Sequence, residues 1–203
     1  GNAFEWRFQF PQLLDENGQF MGFDIVIGNP PYGANIDELV PLYERLYPKT
    51  SHGYKDIYKY FYDFGLSICK KEGSLCYITP NTFLRQPRYG DLRRVLLEYN
   101  ITQILDLGEN IFMDAVVPVA ICLCKATKIS SVISFADITK DITVNNAKII
   151  LSNINFMQLE QESWNMTQNN VFIENIRNTK HNEDILDNIL EMKDCGFKYQ
   201  RFN

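Results

Sequence analysis

The chain has 203 residues, of which 45% are hydrophobic, 13% aromatic and 22% charged. This composition is typical of a globular protein with one sizeable core, or one domain and part of another, and it excludes a chain that is disordered throughout. The formal net charge of -5 argues against a large nucleic-acid surface, since phosphate binding needs many Lys and Arg side chains, but it permits a small basic groove.

Hydrophobic periodicity in the first 125 residues predicts strands that alternate with helices. The predicted elements are a buried strand at 23–28, a short helix near 37–46, a helix at 54–71, a strand at 74–79, a helix at 88–99, and strands at 102–106 and 117–125. This alternation indicates an α/β fold with a mostly parallel sheet flanked by helices. About ten residues without a helical pattern join the last two strands, so we expect an antiparallel pair at one edge of the sheet.

The composition changes beyond residue 126, where Asn becomes abundant and Gly and Pro nearly vanish. Short β-like runs are predicted at 132–136 and 148–151, and a helix is predicted at 183–193. We therefore expect two regions. Residues 1–125 form the first, and residues 126–203 form a connector and the start of a second, mixed α/β region.

Several kinds of site are not expected in this chain. The five cysteines contain no CxxC pair, which favours buried free thiols in a reducing cytoplasm. The two histidines, His52 and His181, lie far apart, so we expect no metal site. The longest apolar run, 116–124, is too short to span a bilayer, and we expect a cytoplasmic protein that makes no use of a membrane.

The first candidate site follows the strand at 23–28, where the sequence FDIVIGNPPYG places Asn29, Pro30, Pro31 and Tyr32. Ligands of open α/β sheets bind beyond the carboxyl ends of the strands. Each proline fixes its own φ and favours an extended residue before it. The side-chain oxygen of Asn29 and the carbonyl oxygen of Pro30 are therefore predicted to be two fixed acceptors beside an aromatic ring. Such a group suits a planar substrate that carries an NH₂, although a rigid turn without function would have the same sequence.

The same residues carry a resemblance to a known family. FDIVIGNPPYG resembles motif IV of the amino methyltransferases that use S-adenosylmethionine. The stretches at 54–85, 104–125 and 156–166 are similar to the segments that follow this motif in gamma-class, adenine-specific DNA methyltransferases, above all the Type IIG restriction–modification enzymes. The resemblance covers most of residues 4–166 and implies that residues 1–125 are the C-terminal half of a Rossmann-like catalytic domain, followed by the beginning of a target-recognition region.

The resemblance also implies a reaction. A target adenine of double-stranded DNA would be rotated out of the duplex and would stack on Tyr32. Asn29 and Pro30 would accept hydrogen bonds from its amino group while a methyl group moves in line from S-adenosylmethionine. Phe112 is a candidate second aromatic ring of the base pocket, although an ordinary core position is equally compatible with it.

The cofactor part of the family pattern has no good counterpart. In gamma-class order the glycine-rich loop precedes the NPPY motif, but the residues before Asn29 contain no Gly-x-Gly. The stretch ILDLGEN, 104–110, begins like such a loop and then has Glu109 and Asn110 where a glycine is needed. We therefore expect that the main loop for S-adenosylmethionine is missing from this chain and that the chain by itself is inactive. An open sheet edge would then remain near 23–28, where two copies could pair.

The basic residues after the strand at 74–79 are the other candidates for contact with DNA. Four arginines lie close together with Asp91 among them. We expect phosphate contacts from Arg85 and Arg88, and a solvated helix start for Arg93 and Arg94.

Two alternative functions stay open from the sequence. One is a methyltransferase that acts on RNA or on a glutamine amide of a protein, because both substrates present a planar NH₂ group. The other is a truncated, non-catalytic module that pairs with a partner or binds DNA weakly, which the missing cofactor loop favours.

Overall fold

A computed structural model describes residues 4–109, 111–112, 117–127 and 132–162. The helices are α1 (Trp6–Gln9), α2 (Val40–Leu46), α3 (Ile57–Ile68), α4 (Thr82–Arg85), α5 (Gly90–Leu97) and α6 (Ala147–Leu151). The strands are β1 (Phe23–Gly28), β2 (Cys69–Pro80), β3 (Asn100–Gly108), β4 (Val119–Lys125), β5 (Val132–Asp137) and β6 (Met157–Glu160). The α/β class predicted from the sequence is confirmed.

The six strands form one mixed sheet in the order β1-β2-β4-β3-β5-β6. β1 is parallel to β2, and β3 is parallel to β5. β4 is antiparallel to both β2 and β3, and β6 is antiparallel to β5. β1, β2, β3 and β5 therefore run in one direction, and their last residues lie at the same end of the sheet, which we call the carboxyl end.

The antiparallel pair of β3 and β4 lies inside the sheet, so its predicted position at an edge was wrong. The pairing of β5 with β3, from Gln103 opposite Ser134 to Asp106 opposite Asp137, extends the sheet beyond the pair. Because β5 and β6 belong to this sheet, it continues past residue 125, and the proposed division of the chain at that residue remains a prediction. The predicted helix at 183–193 lies outside the described residues.

Two predicted elements differ in kind or in length. Residues 148–151 belong to the helix α6 and not to a strand. The helix predicted to reach residue 71 ends at Ile68, and β2 begins at Cys69, which pairs with Phe23 at the start of β1. Gly22 permits this close approach, because a Cβ there would lie 2.5 Å from the backbone nitrogen of Lys70.

Apolar side chains pack on both faces of the sheet, as alternation along β4 shows. Ala120, Cys122 and Cys124 belong to a first cluster, and Val119 lies in a second cluster, which Ile121 also contacts. The first cluster also includes buried residues of α3 and α5, together with Leu75, Phe83, Leu84 and Phe135. The second consists of Leu105, Leu107, Val119, Ala136, Ile138, Ile142 and Phe156.

β1 is an edge strand, and among the described residues it pairs with β2 alone. Its predicted bounds are confirmed, but the prediction that it is buried was wrong, since Ile25 and Ile27 are 51% and 46% exposed. The residues before it pack as a group of aromatic rings in which Trp6 contacts Phe10, Phe20 and Phe23. Within the described part of the chain, no strand pairs with the outer edge of β1, as the sequence predicted.

The described residues contain no helix that is long and apolar enough to cross a membrane. They also contain no group of three or more His, Cys, Asp or Glu side chains that could hold a metal ion. Cys69, Cys76, Cys122 and Cys124 are free thiols, and burial raises the pKa of Cys76 to about 12.

Candidate active site at the carboxyl end of the sheet

Residues 29–33, which we call the acceptor turn, leave β1 at the carboxyl end of the sheet. Pro30 is buried, whereas Asn29 and Pro31 are exposed. Tyr32 is partly buried and packs against the first apolar cluster. An exposed Asn29 is thus followed three residues later by an aromatic residue that packs on the core, and the assignment of residues 29–32 to a substrate site remains a prediction.

The acceptor turn ends at Gly33, whose φ of 66° lies in the left-handed region that favours glycine. Its N–H donates a hydrogen bond to Oδ1 of Asp56 at 3.3 Å. Asp56 is 7% exposed and directly precedes α3. Burial raises the pKa of Asp56, and the N–H of Gly33 acts against that rise because it stabilises the carboxylate.

One turn into α3, a buried ion pair anchors the helix. Nζ of Lys59 lies 2.7 Å from Oδ2 of Asp91 in α5, and the two side chains are 0% and 1% exposed. The ammonium also donates to the carbonyl oxygens of His52 at 2.7 Å and Tyr54 at 2.8 Å. Burial lowers the pKa of Lys59, and the hydrogen bond to Asp91 opposes this. All three ammonium protons have acceptors, so the pair ties α3 to α5 and to the loop before it.

A second polar group lies where β2, β3 and β5 end. Asp106 of β3 is fully buried, and its carboxylate accepts hydrogen bonds from Nδ2 of Asn81 at 2.8 Å and from Arg85 at 3.0 Å. Arg85 also reaches Asp137 of β5 at 3.5 Å. Burial raises the pKa of Asp106, and the contacts with Asn81 and Arg85 partly offset this. Arg85 is half-exposed and already shared by two carboxylates, so its role in phosphate contact remains a prediction.

The stretch ILDLGEN forms the carboxyl half of β3 and the residues after it. The carboxylate of its Asp106 is occupied by Asn81 and Arg85, as described above. Gly108 has a φ of 69°, and a Cβ there would lie 3.0 Å from Cβ of Thr139. The positive φ and the contact with Thr139 therefore account for this glycine, and the lack of a cofactor loop remains a prediction.

The other three arginines of the predicted basic group, Arg88, Arg93 and Arg94, have different environments. Arg88 is exposed, its guanidinium carbon lies 4.4 Å from the centre of the Tyr54 ring, and its Nε donates to Oε1 of Gln86 at 2.8 Å. Its role in phosphate contact remains a prediction. Arg93 was predicted to be a solvated residue, and this was wrong. It is fully buried and donates to the carbonyl oxygens of Phe83 and Gln86, and burial lowers its pKa to about 10. Arg94 is exposed, as predicted.

Phe112 does not share its packing environment with Tyr32. It is partly buried against the second cluster, whereas Tyr32 contacts the first, on the other face of the sheet. Its assignment to the base pocket remains a prediction.

The residues that hold the acceptor turn were not predicted from the sequence. Asp56 and Lys59 are polar residues that interrupt the aromatic start of α3. A buried position for either would be costly without a partner. Charged residues on an otherwise apolar helix face are therefore the signal that could have revealed Asp56, Lys59 and Asp91.

The family description Eco57I restriction-modification methylase matches residues 1–112. The chain belongs to this family. The acceptor turn, Asp56, the buried ion pair and Arg85 all lie within the matched part. The match ends at Phe112, before β4.

Curated proteins are similar to slightly less than half of this chain. A protein of Methanocaldococcus jannaschii that is named as a type II restriction enzyme and methyltransferase is 34% identical over 93 residues, which are 46% of this chain and 7% of that protein. The type II restriction enzyme and methyltransferase RM.Eco57I of Escherichia coli is 32% identical over 95 residues, 43% of this chain and 9% of that protein. The chain thus matches less than a tenth of the length of these two relatives.

Solved structures share the fold. The methyltransferase subunit of a type I restriction-modification system from Streptococcus thermophilus has a TM-score of 0.55 at 22% identity, covering 75% of this chain and 38% of that one. A nuclease-deletion mutant of the Type ISP restriction-modification enzyme LlaGI, in complex with a DNA substrate mimic, has a TM-score of 0.58 at 17% identity, covering 73% and 18%. The sheet is therefore that of restriction–modification methyltransferases.

Proposed function

We propose that this chain carries the acceptor site of a site-specific, adenine-specific DNA methyltransferase from a restriction–modification system. The observation that carries the proposal is the acceptor turn. It leaves an edge strand at the carboxyl end of the sheet, with Asn29 exposed, Pro30 buried and Tyr32 supported by the core.

The acceptor turn would act on an adenine that has been rotated out of double-stranded DNA, which costs a few kcal/mol of unstacking. Stacking on Tyr32 would offset part of this cost, because a base on an aromatic ring contributes about 1–3 kcal/mol. Asn29 and Pro30 would accept hydrogen bonds from the amino group and keep its lone pair available. Positioning and fixed dipoles would then supply most of the catalysis. Pro31 would keep the Pro30 carbonyl from swinging away, since the residue before a proline is restricted.

S-adenosylmethionine would supply the methyl group. Because no Gly-x-Gly precedes the acceptor turn in this sequence, we expect no heat when S-adenosylmethionine is titrated into this chain in a calorimeter. One-to-one binding would contradict this expectation and would require a cofactor site built from the residues of this chain. A basic contact to the DNA backbone would come from Arg88, whose guanidinium is exposed beside Tyr54.

The reaction is tested with tritiated S-adenosylmethionine and unmethylated plasmid DNA, using the protein expressed from its complete gene. After digestion to nucleosides, label is expected in N6-methyladenine. Loss of one fixed acceptor in Asn29→Ala should lower kcat by about 10² to 10³, whereas Asn17→Ala, an exposed amide in a distant turn, should leave it unchanged. Tyr32→Phe should retain activity and Tyr32→Ala should lose most of it. Label that enters RNA or protein and not DNA would contradict the proposal.

We also propose that two copies of this chain pair along β1. Among the described residues no strand pairs with its outer edge, which carries two exposed isoleucines, Ile25 and Ile27, and such an edge is a template for another strand. Light scattering should show a dimer that Ile25→Lys dissociates, whereas Ile149→Lys, at an exposed isoleucine of α6, should leave it intact. A monomer whose β1 amides exchange freely with solvent would contradict the pairing.

A further inference from the structure

The carboxylate of Asp56 joins the acceptor turn to the start of α3. Its Oδ1 accepts the N–H of Gly33 at 3.3 Å across 23 residues of sequence. Asp56 is 7% exposed, whereas Gly33 is exposed, so the acceptor oxygen is buried and the contact as a whole is partly buried. The side chain reaches a backbone group of the turn and none of the atoms that would face a substrate.

This contact acts on Tyr32 through the peptide that links it to Gly33. A peptide unit is planar, so the direction of the Gly33 N–H also sets the direction of the Tyr32 carbonyl. Gly33 has a φ of 66° and no atom within 4 Å of the position of a Cβ, which means that local packing does not restrain it. The hydrogen bond to Asp56 is thus a restraint on the backbone on which the Tyr32 ring is mounted.

The other end of the contact is anchored to α3. The carbonyl oxygen of Asp56 accepts the N–H of Lys59 at 3.1 Å. The Lys59 side chain is itself held by Asp91 and by two backbone carbonyl oxygens in the buried ion pair described above. Asp56 therefore links the acceptor turn to the start of α3. Without this link, β1 alone would restrain the turn less.

We propose that Asp56 is a positioning residue of the acceptor site, which sets the orientation of Tyr32 by holding the Gly33 amide. The effect on methyl transfer rests on the proposed function, whereas the effect on Gly33 does not. The carboxylate contributes through its acceptor oxygen, so a residue that retains an oxygen at the same place should substitute for it.

The first experiment measures hydrogen exchange of the Gly33 amide by NMR in this chain. Asp56→Ala removes the acceptor, and Asp56→Ser keeps a side chain that suits the start of a helix but is one atom shorter. Both should speed the exchange about tenfold, whereas Asp56→Asn should stay close to the parent chain. If the alanine variant does not fold, the serine variant decides. An exchange rate at Gly33 that is unchanged in the folded variant overturns the proposal.

The matched control is Asp63, a partly buried carboxylate within α3, whose Oδ2 accepts the hydroxyl of Thr50 at 3.2 Å. Asp63→Ala should change the stability of α3 without changing exchange at Gly33. A general loosening of the helix would instead affect both variants alike, and this result would also overturn a specific role for Asp56.

The second experiment measures methyl transfer in the protein expressed from its complete gene. Asp56→Ala and Asp56→Ser should lower kcat about 10²-fold with little change in KM for DNA, since backbone contacts elsewhere set that affinity, and Asp56→Asn should restore kcat. A faster Gly33 exchange with an unchanged kcat would overturn the positioning role. If the parent protein methylates no DNA, the proposed function fails, and the exchange experiment still decides whether Asp56 holds Gly33.

Discussion

The buried ion pair between Lys59 and Asp91 gives the sharpest prediction about stability. Lys59→Met preserves most of the side-chain volume and removes the charge. The Asp91 carboxylate, 1% exposed, would then retain the N–H of Leu92 at 2.9 Å and lose the ammonium at 2.7 Å. Removal of one partner of a fully buried pair costs about 3–5 kcal/mol, a large part of the roughly 5–15 kcal/mol that stabilises a typical domain.

The assay is urea unfolding of this chain, followed by circular dichroism. With a slope of about 2 kcal/mol per molar urea, a loss of about 4 kcal/mol moves the midpoint down by about 2 M. Lys49→Met is the matched control, because Lys49 pairs with Glu98 while their side chains are 59% and 46% exposed, and exposed pairs contribute about 1 kcal/mol or less. Equal midpoints for the two variants would refute the reasoning.

A double variant separates the charge from the packing. Lys59→Met combined with Asp91→Leu removes both buried charges and should recover stability relative to either single variant, because no unpaired charge remains. The carbonyl oxygens of His52 and Tyr54 would still lose their donor, so the recovery should be incomplete. A double variant that is as unstable as the sum of the two single variants would show that the pair does not act as a unit.

Two further predictions concern a glycine and a carboxylate. Gly53→Ala should destabilise the chain more than Gly18→Ala. Both glycines have a φ near 70°, but a Cβ at Gly53 would lie 2.2 Å from the carbonyl oxygen of Arg88, whereas a Cβ at Gly18 would meet open space. Backbone strain alone should cost about 1–2 kcal/mol at Gly18, and equal midpoints of urea unfolding for the two variants would contradict the clash. The raised pKa of Asp106 means that the native state binds the proton of this carboxyl group more tightly than the unfolded state does. The stabilisation that this proton provides is therefore fully present below the ordinary pKa of 3.8 and is lost as the pH rises through the raised pKa. The stability of the parent chain relative to Asp106→Asn, measured in urea between pH 7 and pH 4, should therefore increase as the pH falls, and a difference independent of pH would contradict the assignment.

The sequence by itself determined the features that depend on local chemistry. The strand at 23–28 and the turn that follows it were predicted with their bounds, because an apolar run followed by two prolines leaves the backbone few conformations. The main helices were predicted in position, since apolar residues recur at helical spacing. Their ends shifted where tertiary pairing intervened, as at Cys69, which belongs to a strand because β1 lies beside it.

The tertiary structure decided what depends on contacts between distant residues. The pair of β3 and β4 lies inside the sheet because β5 pairs in parallel with the other side of β3. Arg93 can be buried because two carbonyl oxygens accept hydrogen bonds from its guanidinium group. No local sequence pattern indicates these contacts. The link between Gly33 and Asp56 likewise exists because the sheet brings the end of one strand to the start of a helix 23 residues later, and side-chain periodicity carries no information about such a distance.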